Sequence, residues 1–281
     1  MNFDRFLQKA CPLFNLEWRK FRRRSARHRI ERRMKELGFD DYGSYLGHLM
    51  TDRQEAEGFA DLMRVTVSRF FRNRACWFEI VEKVLPGLIA GKASESVFRV
   101  WSVGCCGGEE PYTMAMIWLQ YLQPRFPDRT IDIFATDIDF PSLERARMGQ
   151  YDYASLREVP PEIIAAWFRL KNGRWLVDKR TRNLVRFQNH NLMEDPPPTG
   201  TDLVICRNLP FTYYRGDRLL AAALRLFEAL RPEGALMIGK SETIDLPVKH
   251  LFEPWPGVVG VFRKRNNVTS SPNSSPIIYL D

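Results

Sequence analysis

Histidine and cysteine are scarce in this 281-residue sequence, and neither is arranged for metal or triad chemistry. The four histidines, His28, His48, His190 and His250, are isolated, and none stands at zinc spacing from a cysteine. Each reads as a hydrogen-bonded or surface side chain, so neither a Ser/His/Asp triad nor a metal site is expected. The five cysteines are odd in number, and Cys105 and Cys106 are adjacent. That pattern does not suit a disulfide framework and reads as reduced thiols in a cytosolic protein. The sequons at Asn267 and Asn273 are then expected to stay unmodified. Long apolar runs are missing too: none approaches the ~20 residues that cross a bilayer. The first residues carry Asp4 and lack the apolar core of a signal peptide. With 44% hydrophobic and 27% charged residues, the composition is globular and argues against disorder over most of the chain.

Acidic charge is in short supply in one region only. The net charge is +8, and from Arg19 to Lys35 ten Arg or Lys accompany a single acid, Glu31. This stretch holds all of the excess, and the rest is close to neutral. A basic stripe seeks nucleic acid, an anionic membrane or an acidic protein surface, or it is simply a solvated helix face.

Residues 1 to about 92 have helical texture. Phe14, Trp18 and Phe21, then Ile30, Met34 and Leu37, recur at three- and four-residue spacing, and Gly38 suits a C-cap. A second helix is expected from Asp40 to Met50, a third from Arg53 to Val65, and a fourth from Arg74 to Val84, with Pro86 and Gly87 near its end. At Val97 the pattern changes to short β-branched runs alternating with helices: strands Val97–Val103, Thr130–Asp139, Thr201–Cys206 and the ALMIGK segment, with helices after Glu109, at Pro141–Met148 and at Asp217–Leu230. This order predicts a doubly wound, mostly parallel sheet. Two further strand-like runs, around Trp175 and Val185, are joined by DKRTRN. They read as a hairpin inserted at about 168–190. The expected organisation is a helical domain over 1–92, an α/β domain over 93–265 and a disordered tail over 266–281.

In a doubly wound sheet, ligands bind beyond the carboxyl ends of the strands. The first such end is GCCGGEE: Gly104, Gly107 and Gly108 let a ligand approach the backbone, but they do not form GxGxxG. Glu109 and Glu110 at the following helix start would repel a pyrophosphate. They suit a ligand that is cationic and lacks phosphate, such as S-adenosylmethionine. A tight structural turn explains the glycines equally well. Asp137 closes the second strand, where an acid can accept hydrogen bonds from ribose hydroxyls, and Asp139 suits a helix cap. Near the C-terminus, Gly234 to Ser241 matches the pattern of a P-loop, yet its middle residues Ala-Leu-Met-Ile read as a strand and Pro247 follows closely. ATP binding there is not expected. Trp101, Trp118 and Phe134 read as core residues.

The phrases VWSVGCCGGEEPYTMAM, ATDIDFPSLERARMGQY, TDLVICRNLPFTYY and GALMIGKSET, with SRFFRN before them, resemble the CheR-type chemoreceptor glutamate methyltransferases, in order and from about Arg19 to Arg265. The resemblance implies S-adenosylmethionine as cofactor and no metal. It implies cofactor contacts from Thr66, Ser68 and Arg72 in TVSRFFR, from Glu109, from Asp137 at the ribose, from Asn191 and Leu192 beside the adenine, and from Arg207 and Asn208 of the CRN segment. Two departures stand out. Cys106 and Gly107 replace the serine and threonine usual in the glycine loop. The family's CRN-V-x-I-Y-F becomes CRNLPFTYY, which puts Thr212 at the tyrosine position without a gap and Tyr213 there with one extra residue. The aromatic pair Tyr213-Tyr214 favours Tyr213.

The expected activity is therefore methyl transfer to glutamate carboxylates on the cytoplasmic helices of a chemoreceptor, by a monomeric cytosolic enzyme. Arg72 would grip the carboxylate and Tyr213 would orient it. Arg19, Arg23 and Arg27 of the basic stripe would dock the acidic receptor surface. The alternatives are a methyltransferase of the same fold acting on another protein or on nucleic acid, and a non-catalytic cofactor-binding regulator. The basic stripe lacks the interleaved aromatics that would stack on bases, so no nucleic acid is expected.

Overall fold

The computed structural model describes residues 1–21, 23–63, 68–92 and 96–266. Thr66 and the tail expected to be disordered from 267 onward lie outside the described residues.

Ten strands are described: β1 Val97–Val103, β2 Thr130–Asp137, β3 Gln150–Tyr151, β4 Phe168–Lys171, β5 Arg174–Val177, β6 Val185–Asn189, β7 Thr201–Ile205, β8 Leu230–Met237, β9 Phe252–Pro254 and β10 Val261–Lys264. Seven form one sheet in the order β6-β2-β1-β7-β8-β10-β9. The first five run parallel, and β10 and β9 close the edge antiparallel. β1 lies between β2 and β7, so the strand order reverses there and its carboxyl end faces a crevice. One apolar cluster on the sheet contains Phe98, Val100 and Ile133, and another contains Trp101, Val103 and Val204. This division follows from the alternation of side chains along β1. Trp101 and Trp118 are buried, as expected, whereas Phe134 is half-buried beneath the Arg186 guanidinium at 5.3 Å.

The expected inserted hairpin is in the wrong place. β5 pairs antiparallel with β4 and β3, and its turn is Asn172-Gly173, both with positive φ (51° and 73°). Asn-Gly is the pair that a two-residue hairpin favours, so the signal was present in the sequence. DKRTR is instead a short helix, Lys179–Arg182, capped by Asp178. It delivers β6 to the main sheet, parallel to β2. The small sheet is therefore β3-β5-β4, and Val185–Asn189 belongs to the ligand-binding sheet.

The P-loop pattern resolves as the sequence argued. Gly234 to Met237 lie in β8, and turns follow Gly239 where a P-loop would need a helix.

The helical domain contains helices Phe3–Leu13, Arg23–Glu36, Tyr42–Thr51 and Arg53–Leu62. The first escaped the sequence reading, although Phe3, Phe6, Leu7 and Ala10 show the required spacing and Asn2 accepts from the Arg5 N–H. Pro86 opens a separate helix, Leu85–Ala90, because proline fits the first helical turn as well as it stops one. The domain is stitched to the sheet by backbone. The Glu17 N–H donates to the Tyr213 carbonyl at 2.8 Å, the Arg215 N–H donates to the Asn15 carbonyl at 2.8 Å, and Leu16 bridges Tyr214.

Glu55 anchors the basic helix within this domain. It is buried and accepts from Arg33 Nη2 at 2.7 Å and from the Tyr45 hydroxyl at 2.7 Å. Burial pushes its carboxyl up, but the bonds from Arg33 and Tyr45 prevail and hold it below the usual range. The stabilisation is thus complete above the ordinary carboxylate range and is lost as pH falls through the lower folded value. Hydrogen bonds to charged groups contribute ~1.5–3 kcal/mol. We expect Glu55→Gln to lower stability in chemical denaturation by about 2 kcal/mol at pH 7, with the difference from the parent shrinking towards pH 3. A pH-independent difference would contradict this assignment.

Candidate active site

The carboxyl ends of β6, β2, β1, β7 and β8 share one edge, and most of the residues singled out from the sequence gather there. The glycine turn after β1 has positive φ at Gly104 (67°), Cys106 (48°) and Gly108 (87°). A Cβ on Gly108 would stand 2.9 Å from Ala146 Cβ and 3.0 Å from Phe187 Cζ, so glycine is required there by both space and backbone. The turn is tied to β2 through Asp137: Oδ2 accepts from the Cys106 N–H and Oδ1 from the Asp139 N–H, each at 2.8 Å. Asp137 thus shapes the turn itself, a duty invisible in the sequence. A carboxylate has about four acceptor sites, so this duty is compatible with ribose hydroxyls as well. Asp139 caps the helix Phe140–Met148 through the Ser142 N–H, as expected.

The residues after β6 follow the same edge. The His190 N–H donates to the Asp137 carbonyl at 3.1 Å, which brings Asn191 and Leu192 beside Asp137. Leu192 is buried with Trp101 and Val103, while the Asn191 side chain closes its own turn by accepting from the Met193 N–H.

Glu109 and Glu110 begin the helix Glu109–Ile117, and both are buried more deeply than a helix start usually permits. Burial pushes Glu109 up to about 7, against a lesser pull from Arg145. Its Oε2 is buried and has no hydrogen-bond partner among the described residues. Burial likewise pushes Glu110 up to about 6, but this carboxylate has partners: Ser102 Oγ donates to it at 2.8 Å, and Arg207 Nη1 lies 4.0 Å away.

Arg207, expected at the cofactor, directs both terminal nitrogens at protein groups, while its Nε is buried without a hydrogen-bond partner among the described residues. Nη2 donates to the Arg72 carbonyl at 2.8 Å and to Asn73 Oδ1 at 2.9 Å. The Arg72 side chain is half-buried and makes no hydrogen bond or ion pair to another described residue. Ser68 is half-buried in the segment just before it. Asn208 has positive φ (58°), and its N–H donates to Glu242 Oε2 at 2.8 Å.

Glu242 was missed by the sequence reading. It lies in the GKSET segment, whose P-loop pattern drew attention away from the acid. It is buried and also accepts from the Gly239 N–H at 2.6 Å and from the Thr212 hydroxyl at 2.5 Å. One carboxylate therefore joins the ends of β7 and β8 to the short helix Pro210–Tyr213. The two candidates for the family tyrosine position diverge. Thr212 faces Glu242 at the strand ends, whereas the Tyr213 ring stacks on Phe21 of the helical domain at 4.7 Å.

Two family models match: "CheR methyltransferase, all-alpha domain" over residues 2–63 and "CheR methyltransferase, SAM binding domain" over residues 66–260. The chain belongs to the CheR methyltransferase family. It is 34% identical over 209 residues to a chemotaxis protein methyltransferase of Listeria monocytogenes, covering 74% of this chain and 77% of that one. Over 265 residues it is 28% identical to chemotaxis protein methyltransferase 1 of Pseudomonas aeruginosa, covering 92% and 95%. It is also 35% identical over 220 residues to an uncharacterised 104.1 kDa protein of Rhodobacter capsulatus, where it spans only 23% of the relative's length.

The strand-end residues of this CheR protein fit S-adenosylmethionine. Glu109 Oε2, buried and without a described hydrogen-bond partner, suits a cation such as the amino group of the methionine part. The glycine turn and Asp137 leave a backbone-lined approach for a ribose. Two buried acids at a helix start would exclude a dinucleotide pyrophosphate.

The basic stripe is less uniform than its sequence. Arg33 is bound to Glu55, and Arg29 Nε donates to the Leu62 carbonyl at 2.6 Å. Arg23 pairs with Asp4 at 2.8 Å, and Arg19 lies 4.8 Å over the Trp18 ring. Arg24 and Arg27 are exposed on one helix face, with Arg27 5.0 Å over Phe3.

If an ammonium binds at Glu109, affinity must follow that carboxyl's ionisation. A folded value near 7 leaves the group mostly protonated at pH 6 and mostly ionised at pH 8. Calorimetric affinity for S-adenosylhomocysteine should therefore rise about tenfold from pH 6 to pH 8. Glu109→Gln should bind weakly with little pH dependence. An equally flat profile in the parent would remove Glu109 from the amino-group site.

Proposed function

We propose that this chain methylates glutamate side chains on the cytoplasmic helices of a chemoreceptor, giving a glutamate methyl ester and S-adenosylhomocysteine. The observation that carries the reading is the Arg72 side chain. It is a cation at the strand-end crevice with no described hydrogen-bond or ion-pair partner, held on a backbone that the protein fixes from several sides. Such a guanidinium suits a carboxylate, which it can grip by charge-assisted hydrogen bonds. The names of the Listeria and Pseudomonas relatives support a chemotaxis role.

When bound, S-adenosylmethionine supplies a methyl group activated by a sulfonium. A glutamate is already ionised at pH 7, so the reaction needs no general base. The carboxylate oxygen bonds to the methyl carbon as the carbon–sulfur bond breaks, and that bond's electron pair stays on sulfur. The task left to the protein is alignment, and well-oriented reactants can save ~7–11 kcal/mol of barrier. Arg72 grips the acceptor carboxylate and also contacts the cofactor, Glu109 and Asp137 hold the cofactor with Ser68, Asn191, Leu192 and Asn208, and Tyr213 orients the acceptor from the seam with the helical domain. The exposed cations Arg24 and Arg27, with Arg19 and Arg23 beside them, dock the acidic receptor face.

The test is transfer of tritiated methyl from S-adenosylmethionine to receptor membranes, read as base-labile label. Arg72→Ala should lower kcat at least a hundredfold. Arg24→Glu combined with Arg27→Glu should raise KM for receptor severalfold at low salt. The difference from the parent should shrink as salt is added, because such attraction is screened beyond about 8 Å at physiological ionic strength. Affinity for S-adenosylhomocysteine should not change in this charge-reversed variant. Tyr213→Phe should lower kcat more than Thr212→Val does; the opposite order would move the orienting role to Thr212. Base-stable label, or label in nucleic acid, would overturn the proposed acceptor.

A further inference from the structure

We propose that Arg207, backed by Glu110, is a positioning residue that sets the backbone at Arg72 and acts through it. The inference rests on the reading of Arg72 as a residue that contacts the bound cofactor as well as the acceptor carboxylate.

The Arg207 side chain is only 4% exposed. Its Nη2 is divided between the Arg72 carbonyl (2.8 Å) and Asn73 Oδ1 (2.9 Å), and Nη1 lies 4.0 Å from Glu110 Oε2. The guanidinium carbon lies 5.6 Å from the ring centroid of Trp77, which is fully buried. Nε is buried without a hydrogen-bond partner among the described residues, so the terminal nitrogens carry these contacts. Glu110 is fixed in turn by Ser102 of β1. A continuous polar path therefore runs from the centre of the sheet, through Ser102, Glu110 and Arg207, to the carbonyl oxygen of Arg72.

That carbonyl lies in backbone that needs holding. Phe71 and Asn73, on either side of Arg72, both have positive φ, 50° and 60°, a region that residues with side chains rarely adopt. Neighbouring groups are pinned elsewhere. The Phe70 N–H donates to the Ser155 carbonyl, the Phe71 N–H to Thr113 Oγ1 at 3.0 Å, and the Asn73 N–H to Glu158 Oε2 at 2.8 Å. Arg207 is the group that reaches the peptide of Arg72 itself. Side-chain rotamers depend on the backbone angles beneath them, so releasing this carbonyl would let the Arg72 guanidinium wander. The fork geometry matters here: a guanidinium can reach a carbonyl, an amide oxygen and a carboxylate together, and a lysine ammonium has no such fork.

The experiment is a double-mutant cycle on S-adenosylhomocysteine affinity, measured by calorimetry with circular dichroism as a control for folding. Arg207→Lys alone should weaken binding about tenfold. Arg72→Ala should weaken it at least as much. The double variant should bind no more than about twofold more weakly than Arg72→Ala, because Arg207 acts through Arg72. Asn73→Gly keeps positive φ accessible while removing one acceptor of Arg207. It should show a smaller loss that also vanishes in the Arg72→Ala background, and it serves if Arg207→Lys does not fold. An equal penalty for Arg207→Lys with and without Arg72, or no penalty at all, would overturn the proposal. The acceptor takes no part in this binding, so a cycle that behaves as expected while receptor methylation fails would refute the acceptor assignment alone.

Discussion

Where the parallel strands end, Glu109 and Glu242 lie buried and Glu110 is largely so, and the cost of keeping charge out of water organises the groups around them. A buried charge must find partners or give up its ionisation. Glu242 finds two backbone N–H groups and the Thr212 hydroxyl, and so fuses the ends of two strands with the following helix. Glu110 finds Ser102 and Arg207, and through Arg207 reaches the segment that carries Arg72. Glu109 lacks a partner for Oε2 among the described residues, and burial pushes it up to about 7. Of the three acids, two close the floor of the site and the third leaves a cation's place.

The helical domain contributes in a different way. It meets the catalytic domain through backbone hydrogen bonds at residues 15–17 and 213–215 and through the stack of Phe21 on Tyr213. Its basic helix is anchored from below by the Arg33–Glu55–Tyr45 group. The exposed cations are thus carried on a scaffold joined to the strand-end crevice by short-range contacts rather than by a flexible tether. A receptor docked on that helix would be registered relative to Arg72 and Tyr213.

Legibility in the sequence tracked how local each signal was. β1 was readable to the residue, because a run of buried β-branched and aromatic positions ending in glycine has few other solutions. The role of Asp139 as a cap was equally local. The pairing of β6 was not readable, since whether a short strand returns to its sequence neighbour or crosses to a parallel sheet is settled by tertiary packing; only the Asn172-Gly173 turn could have warned that β5 already had its partner. The motif residues converge on one edge because parallel strands put their carboxyl ends together. What those residues bond to was hidden, since each bond joins positions far apart in the chain: Asp137 with Cys106, Arg207 with Arg72, Glu242 with Thr212.

As a desolvated carboxyl, Glu109 would receive the positive charge of the cofactor under the proposed function. Carbon-detected NMR of side-chain-labelled glutamate follows that carboxyl directly as pH is varied. A titration near 7 is expected in the free protein, moving below about 5 when S-adenosylhomocysteine is bound, because an adjacent cation favours the ionised form. A free-protein titration in the ordinary range near 4.3, or a value near 7 that the ligand leaves unchanged, would contradict it.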